Sequence, residues 1–193
     1  MLKHSLIAAV LCFSSANTFA NWQLDNNLSR VNFVSVKKNT LGEGHYFKKL
    51  TGKIDDLGQF KLTINLGSVE TLIPIRNERM QKFLFNTEVF PTLDLTADLS
   101  SQLKNLKKGQ SHIIKTQADL ALNGINKLIK LEVLATQLAN GDISVSSFMP
   151  VIIKPSDFNL TSGIDKLQEL AKLPSITHSV PVSFVLTLKK ITQ

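Results

Sequence analysis

Three histidines in the body of this sequence, one of them close to a glutamate, are the side chains best suited to acid–base or metal chemistry. His45, His112 and His178 lie far apart, and none is followed two or four residues later by another metal-ligating side chain. Such spacings place two ligands on one face of a strand or helix, and a transition-metal site needs several ligands together. The sequence therefore predicts no metal site, although a fold could still assemble the three histidines.

Familiar catalytic signatures do not occur in the sequence. It contains no Gly-x-Ser-x-Gly turn and neither of the glycine-rich loops that cradle nucleotide phosphates. Asp55 and Asp56 stand beside Gly58, which is typical of a solvated turn rather than a catalytic dyad. We predict no catalytic residue and no cofactor. The alternative is a metal-dependent or hydrolytic enzyme on the same scaffold, for which His45, Glu43 and the acidic turns are the only indications.

Composition indicates a folded, basic protein. The chain has 193 residues, of which 43% are hydrophobic and 19% charged, with a net charge of +7, so it is long and apolar enough for one domain with a core. Its basic residues include four lysine pairs, which indicate a solvated exterior or transient contact with an anionic membrane surface. Nucleic acid is not a predicted partner, because one Trp and one Tyr offer few stacking surfaces.

The first twenty residues have the composition of a secretory signal peptide. Lys3 gives a positive start, an apolar run covers 6–13, and Thr18 and Ala20 are small residues where a signal peptidase cleaves. The sequence predicts a leader over 1–20, cleaved after Ala20, a single domain over 21–193, and a periplasmic location. The only cysteine, Cys12, lies in the leader, so we expect neither disulfide nor thiol chemistry in the domain.

Beyond the leader, apolar and polar residues alternate with a period of two, the pattern of half-buried strands. Phe60, Leu62 and Ile64, for example, alternate with Lys61 and Thr63. The alternation predicts strands near 22–26, 28–38, 43–53, 59–67, 92–100, 111–123, 125–138 and 142–153, and a last one near 178–190. This number of consecutive strands indicates an all-β fold, a single antiparallel eight-stranded β-barrel.

Turns and short helices interrupt the alternation. Asn123-Gly124 and Asn140-Gly141 are strong hairpin signals, because a type I′ turn needs positive φ at both central residues. Residues 74–85 and 162–173 have helical spacing instead, the first opened by Pro74 and the second followed by Pro174. Short helices in an otherwise all-β chain usually cap a barrel end, where they control access to the interior.

The abundance of phenylalanine favours a ligand-holding interior. The chain has 11 phenylalanines, and most of those beyond the leader lie on or beside the predicted strands and the first helix. Each could be ordinary core. An eight-stranded barrel nevertheless has room for one small ligand, and an apolar lining with a few polar groups is typical of ligand sites.

A series of short motifs, in a consistent order along the chain, carries a family resemblance. They are Trp22-x-x-Asp25, Ser29-x-Val31-x-Phe33, Phe47-x-x-Leu50-x-Gly52-x-Ile54, Ser68-Val69-Glu70-Thr71, Arg76-Asn77-x-Arg79-Met80, the aromatic stretch 83–85, Phe90-Pro91, and Gly124 after Ala121-Leu122. In this order the sequence resembles the YceI family of exported, lipocalin-like polyisoprenoid-binding proteins. Two positions depart from the family pattern: Lys154 replaces an Arg, and Asn77 replaces an Asp.

The resemblance implies a lipocalin-like barrel with short capping helices and an elongated apolar channel. The channel would hold a long-chain isoprenoid or related lipid, such as a quinone, a polyprenyl phosphate or a fatty acid derivative, for transport, storage or scavenging and without catalysis. Phe47 would face inward, and Arg76 or His45 would meet the headgroup oxygens near the rim. A salt bridge that holds the first helix on the barrel is the alternative role for Arg76.

The side chains expected to contact the lipid combine the inward faces of the predicted strands with the first helix. They are Phe33, His45, Phe47, Leu62, Ile64, Arg76, Met80, Phe83, Leu84, Leu120, Ile129, Leu131, Val133, Val145, Phe148 and Phe184. Besides the enzyme, a stress-related interaction module is a further alternative function. The sequence leaves open the identity of the lipid, its donor and acceptor, and whether two barrels form a homodimer.

Overall fold

Antiparallel strands form the body of the molecule. The computed structural model describes residues 21–191; the predicted leader, residues 1–20, lies outside the described residues, as do residues 192 and 193. The strands of the described part are β1 (Trp22–Leu24), β2 (Arg30–Lys37), β3 (Leu41–Phe47), β4 (Leu50–Ile54), β5 (Gln59–Asn65), β6 (Val69–Glu70), β7 (Thr92–Asp98), β8 (Ser111–Leu122), β9 (Ile125–Gln137), β10 (Ile143–Ser147), β11 (Val151–Ile153) and β12 (Val180–Lys190). The helices there are α1 (Pro74–Arg79), α2 (Ser100–Asn105) and α3 (Thr161–Leu170).

Eight of the strands close into a ring. Their order is β1-β4-β5-β7-β8-β9-β10-β12, and β12 pairs back with β1, where Leu24 lies opposite Leu188. Closure pairs the two edges of the sheet with each other. At one end the wall is extended by β2, β3 and β6, which continue from β12, and by β11, which also pairs with β12. The predicted all-β, antiparallel eight-stranded barrel is confirmed.

The period-two pattern determines which side chains face the barrel interior. On β5, Leu62 and Ile64 are buried while Lys61 is exposed, and β4 follows the same rule, with Leu50 and Ile54 buried. Because successive side chains of a strand point to opposite faces, a one-residue change of register would bring the lysines inside. The apolar pattern therefore specifies the register of each strand.

Two predicted strands are each divided in the structure. The strand predicted over 43–53 stops after Phe47 and resumes at Leu50, because the intervening residues bond to groups outside the strand ladder. The amides of Lys48 and Lys49 donate to the Ser68 carbonyl (3.1 Å) and hydroxyl (3.0 Å) oxygens. Asn26 Nδ2 donates to the Lys48 carbonyl (3.0 Å), and Asn26 Oδ1 accepts from the Leu50 amide (2.6 Å). The strand predicted over 142–153 divides into β10 and β11 at Phe148-Met149-Pro150, where proline lacks the amide hydrogen that a ladder needs.

The helices differ in how well the sequence predicts them. Residues 74–85 are helical, as predicted: α1 continues as a wider, π-helical turn over Met80–Phe85 and ends at Asn86, whose φ is +46°. The second predicted helix is three residues shorter at its C-terminus, since α3 ends at Leu170. The predicted strand 92–100 ends at Asp98, whose Oδ1 accepts from the Ser100 amide (2.9 Å). Helix α2, which the sequence did not predict, begins at Ser100.

Among residues 21–191 no helix is both long and apolar enough to cross a membrane.

The turn between β8 and β9 has the predicted hairpin geometry. Asn123 and Gly124 both have positive φ, +52° and +75°, as a type I′ turn requires. The Asn123 side chain also donates to the Phe158 carbonyl (2.9 Å), which ties the hairpin to the segment before α3. The Asn140-Gly141 turn is longer: only Gly141 has positive φ, and β10 begins at Ile143.

Candidate functional site: an apolar channel with a polar end

A cavity of about 470 Å³ runs inside the barrel. Its wall is almost entirely aliphatic and aromatic, and most of the residues predicted to contact lipid lie in it: Phe33, His45, Phe47, Leu62, Ile64, Arg76, Met80, Leu84, Leu120, Ile129, Leu131, Val133, Val145 and Phe184. They reach the cavity from strands of the ring, from β2 and β3 beyond it, and from α1 and the wider turn that continues it. Alternate residues of each strand thus form one continuous channel wall.

Phe83 and Phe148 are not part of this wall. Phe148 is exposed in the break between β10 and β11, where its amide and that of Met149 both donate to the Glu132 carbonyl of β9, a bulge that interrupts the inward-outward alternation. Phe83 lies in the wider turn that continues α1; its ring is exposed, with Lys82 Nζ 5.4 Å from the ring centroid. In both places a local departure from regular geometry turns the side chain outward.

Several wall residues come from elements that the sequence did not single out. α2 and its flanks supply Leu99, Gln102, Leu103 and Leu106 at one end of the channel. This contribution was missed because α2 itself was missed, although Leu99, Leu103 and Leu106 are spaced by four and three residues, which is a helical signal. At the other end, the segment between α3 and β12 supplies Ile176 and Thr177.

The end of the cavity opposite α2 is polar, and an ion cluster forms part of it. Arg76 Nη1 on α1 donates to the Glu43 carboxylate on β3, Lys37 Nζ lies 2.7 Å from the same carboxylate, and Arg76 Nη2 donates to the Thr71 carbonyl (2.6 Å). The Lys37 hydrogen bond is the main cause that lowers the pKa of Glu43, with the positive charge of Arg76 assisting. The cluster holds α1 against β3, which is the alternative role considered for Arg76.

His45 lies beside this cluster in the channel wall and is only 3% exposed. Its Nε2 is 2.9 Å from Ser35 Oγ on the neighbouring strand, and its ring centroid is 5.2 Å from that of Phe33. Burial is the main cause that lowers the pKa of His45 to about 4; the positive charge of Arg76 contributes to the shift and outweighs the opposing effect of Glu43. The imidazole is therefore neutral at neutral pH.

Three buried polar atoms of the channel wall have no hydrogen-bond partner within residues 21–191: His45 Nδ1, Arg76 Nε and Thr177 Oγ1. A fourth such atom, His112 Nε2, belongs to a residue that is not in the wall. Thr177 lies at the same end as the other two, because its amide donates to the Val36 carbonyl (3.0 Å), next to Ser35. Buried polar groups are nearly always paired, so these three atoms are well suited to meet a polar group of a ligand.

A second network fixes the start of α1. Asn77 Oδ1 accepts from the Thr71 amide (2.9 Å) and hydroxyl (2.6 Å), and Asn77 Nδ2 donates to Glu70 Oε1 (2.9 Å). A hydrogen bond from Lys48, supported by those from Asn77 and Leu72, lowers the pKa of Glu70 to about 2. An aspartate at position 77 could not donate to Glu70, so the asparagine of this chain suits its neighbour.

The chemistry that these residues can perform is limited. The Ser35–His45 contact resembles two members of a hydrolytic triad, but a carboxylate that orients the imidazole would have to meet Nδ1. In the part of the chain that the structure describes, that atom has no hydrogen-bond partner, and Glu43 binds Arg76 and Lys37. In the described part of the chain no three His, Cys, Asp or Glu side chains are grouped closely enough to hold a metal ion.

A closed antiparallel barrel around an apolar channel with one polar end defines the class of lipocalin-like binding proteins. The YceI-like domain model matches residues 22–188, so the chain belongs to the YceI-like family. The predicted family membership is confirmed.

Solved structures of the same fold agree with this membership. A polyisoprenoid binding domain from Saccharophagus degradans, implicated in plant cell wall breakdown, is 34% identical, with a TM-score of 0.86 over 90% of this chain and 100% of that one. BcnA of Burkholderia cenocepacia is 20% identical, with a TM-score of 0.65 over 85% and 98% of the two chains. The Campylobacter jejuni YceI protein is 18% identical, with a TM-score of 0.54 over 77% and 85%. Among curated proteins, none matches the chain significantly.

Proposed function

We propose that this protein binds a long-chain isoprenoid or related lipid inside its barrel and carries, stores or scavenges it without changing it chemically. The observation that carries the proposal is the channel, whose wall is apolar except at one end. The Saccharophagus degradans domain, described as polyisoprenoid binding, supports the same ligand class at 34% identity.

The apolar wall would supply most of the affinity. The wall includes side chains from both β3 and β4, from His45 to Ile54, and so extends over two consecutive strands. Each 100 Å² of lipid surface removed from water contributes about 2.5 kcal/mol before the costs of association and ordering. A long, flexible hydrocarbon chain fits such a channel better than a compact ligand does.

The polar end would receive the headgroup. Arg76 Nε is a donor, Thr177 Oγ1 can donate or accept, and neutral His45 can present a donor at Nδ1 if Nε2 accepts from Ser35. Oxygen atoms of a quinone, a phosphate or a carboxylate would each satisfy these groups. The arrangement thus fits an isoprenoid quinone, a polyprenyl phosphate or a fatty acid derivative.

Mass spectrometry of an organic extract of the purified protein tests the proposal. We expect one lipid molecule per protein, with an isoprenoid or other long hydrocarbon chain. An empty extract, together with no uptake of an added isoprenoid quinone, polyprenyl phosphate or fatty acid by a folded protein, would contradict it. Arg76→Met should reduce retention of a polar-headed isoprenoid more than retention of squalene, which has no headgroup.

The proposal includes a periplasmic setting, which rests on the composition of residues 1–20. Expression of the full sequence in a Gram-negative host should yield a periplasmic product whose first residue is Asn21. Recovery of the uncleaved chain from the cytoplasm would contradict the setting but not the lipid binding.

A further inference from the structure

Four consecutive apolar residues are exposed where the chain enters α1. These residues, Leu72, Ile73, Pro74 and Ile75, are called the apolar rim below. Single exposed apolar side chains are common on protein surfaces, but an uninterrupted run of four is unusual unless it has a function. We propose that the apolar rim docks the protein onto an anionic bilayer, so that the lipid exchanges between membrane and channel. This inference rests on the proposed lipid binding.

The apolar rim connects the inside of the barrel with its surface. Ile73 and Ile75 line the cavity and are 44% and 51% exposed, whereas Leu72 is outside the cavity wall and 80% exposed. A hydrocarbon chain leaving the channel over Ile75 and Ile73 would therefore reach the outer surface along apolar side chains. Such a path avoids exposing the chain to water.

The backbone presents Leu72 to solvent in a conformation that is unfavourable for leucine. Its φ is +63°, in the left-handed region that residues with a Cβ rarely adopt. The Leu72 amide donates to Glu70 Oε1 (2.7 Å), and the neighbouring Thr71 is fixed by Asn77. Unfavourable backbone conformations persist where the surroundings enforce them, and they concentrate at functional sites.

Cations outnumber anions around this end of the barrel. Five cations lie here. Lys37 is the last residue of β2 and Lys38 follows it, Arg76 and Arg79 belong to α1, and Lys172 precedes the wall residue Leu173. Glu43, Glu78 and Asp165 are the acidic residues to set against these five cations; nearby Glu70 is paired with Lys48, and Glu169 with Lys166. An excess of positive charge beside aliphatic side chains complements a membrane that contains anionic lipid.

Vesicle co-sedimentation tests the docking. With vesicles of phosphatidylethanolamine and phosphatidylglycerol, we expect the protein to pellet, and Leu72→Glu to lower the partition coefficient at least tenfold. Leu57→Glu is the matched control, because Leu57 is 69% exposed but lies in the β4–β5 turn at the opposite end of the strands. Equal loss in both variants, or no loss in either, would overturn the inference.

A fluorescent reporter provides a second readout. Leu72→Trp should show a blue-shifted emission on the same vesicles, whereas Leu57→Trp should not; the native Trp22 is buried and common to both. Added salt should weaken binding because it screens the charges. No blue shift for Leu72→Trp, or capture by a protein partner without vesicle binding, would overturn membrane docking. The proposed lipid binding is tested separately, by the lipid content of organic extracts of the purified protein, so failure of docking and failure of lipid binding can be distinguished.

Discussion

Arg76 and Glu43 join the first helix to the barrel wall at the point where the channel becomes polar. The same guanidinium also donates to the Thr71 carbonyl, while its Nε, buried in the channel wall, has no hydrogen-bond partner among residues 21–191. One side chain thus holds the helix in place and offers a donor to the interior, which combines the two roles that the sequence left open.

A double-mutant cycle measures the structural part of this role. Arg76→Met and Glu43→Gln should each lower the free energy of unfolding by about 1–2 kcal/mol, since both side chains are partly exposed. Because the two residues interact directly, we expect the double variant to lose less than the sum of the single losses. Urea unfolding of lipid-free protein, followed by Trp22 fluorescence, provides the measurement. Strictly additive losses would mean that the contact does not hold the helix.

Stability should depend on pH through His45. Its pKa is about 4 in the folded protein against 6.5 for an ordinary histidine, so the unfolded chain binds the proton more readily and stability is lost as the pH falls from about 6.5 towards 4. Between pH 7.5 and pH 5 this one group should cost about 2 kcal/mol of unfolding free energy. Urea titrations across that range should show the loss in the parent protein and a smaller one in His45→Gln. The same slope in both would contradict the assignment.

The length of lipid chain that the channel accepts should depend on Ala135. This buried wall residue of β9 lies opposite His112, towards the α2 end. Ala135→Phe should fill part of the channel, leave the unfolding free energy within about 1 kcal/mol, and lower affinity for a long-chain isoprenoid quinone at least tenfold, with little effect on a short-chain one. Ala121→Phe is the control, because Ala121 lies outside the wall. Equal losses for long and short chains would contradict a tail site at this end.

The contact between α3 and the wider turn after α1 depends on Gly163. A Cβ there would lie 2.7 Å from the Phe83 carbonyl oxygen and 2.8 Å from Leu84 Cα, both backbone atoms. Alanine usually stabilises a helix by about 1 kcal/mol relative to glycine, but Gly163→Ala should instead destabilise the protein by about 1–3 kcal/mol. Ser162→Ala, at an exposed position of the same helix, should change stability by less than about 0.5 kcal/mol. Denaturant unfolding of both variants shows whether Gly163→Ala lowers the free energy of unfolding, as expected, or raises it.

The barrel and most of its channel wall could be predicted from the sequence alone. Apolar and polar side chains must alternate along a strand that has one buried face. The pattern alone therefore predicts that Leu62 and Ile64 face the interior, without knowledge of the neighbouring strands. The turn at Asn123-Gly124 was equally local, because its backbone conformation depends on the two residues themselves. Such features depend on short-range chemistry.

The tertiary structure decided what the pattern could not. Asn26 and Ser68 bond the backbone of Lys48 and Lys49 and so divide the predicted strand 43–53. At a separate break, the amides of Phe148 and Met149 both donate to the Glu132 carbonyl, and Phe148 is exposed. The polar end joins residues from β2, β3, α1 and the segment before β12, so Ser35 and Thr177 could not be recognised as neighbours of His45. Only the tertiary structure brings these residues together, because the β2–β3 hairpin, α1 and the segment before β12 meet through contacts between parts of the chain that are distant in sequence.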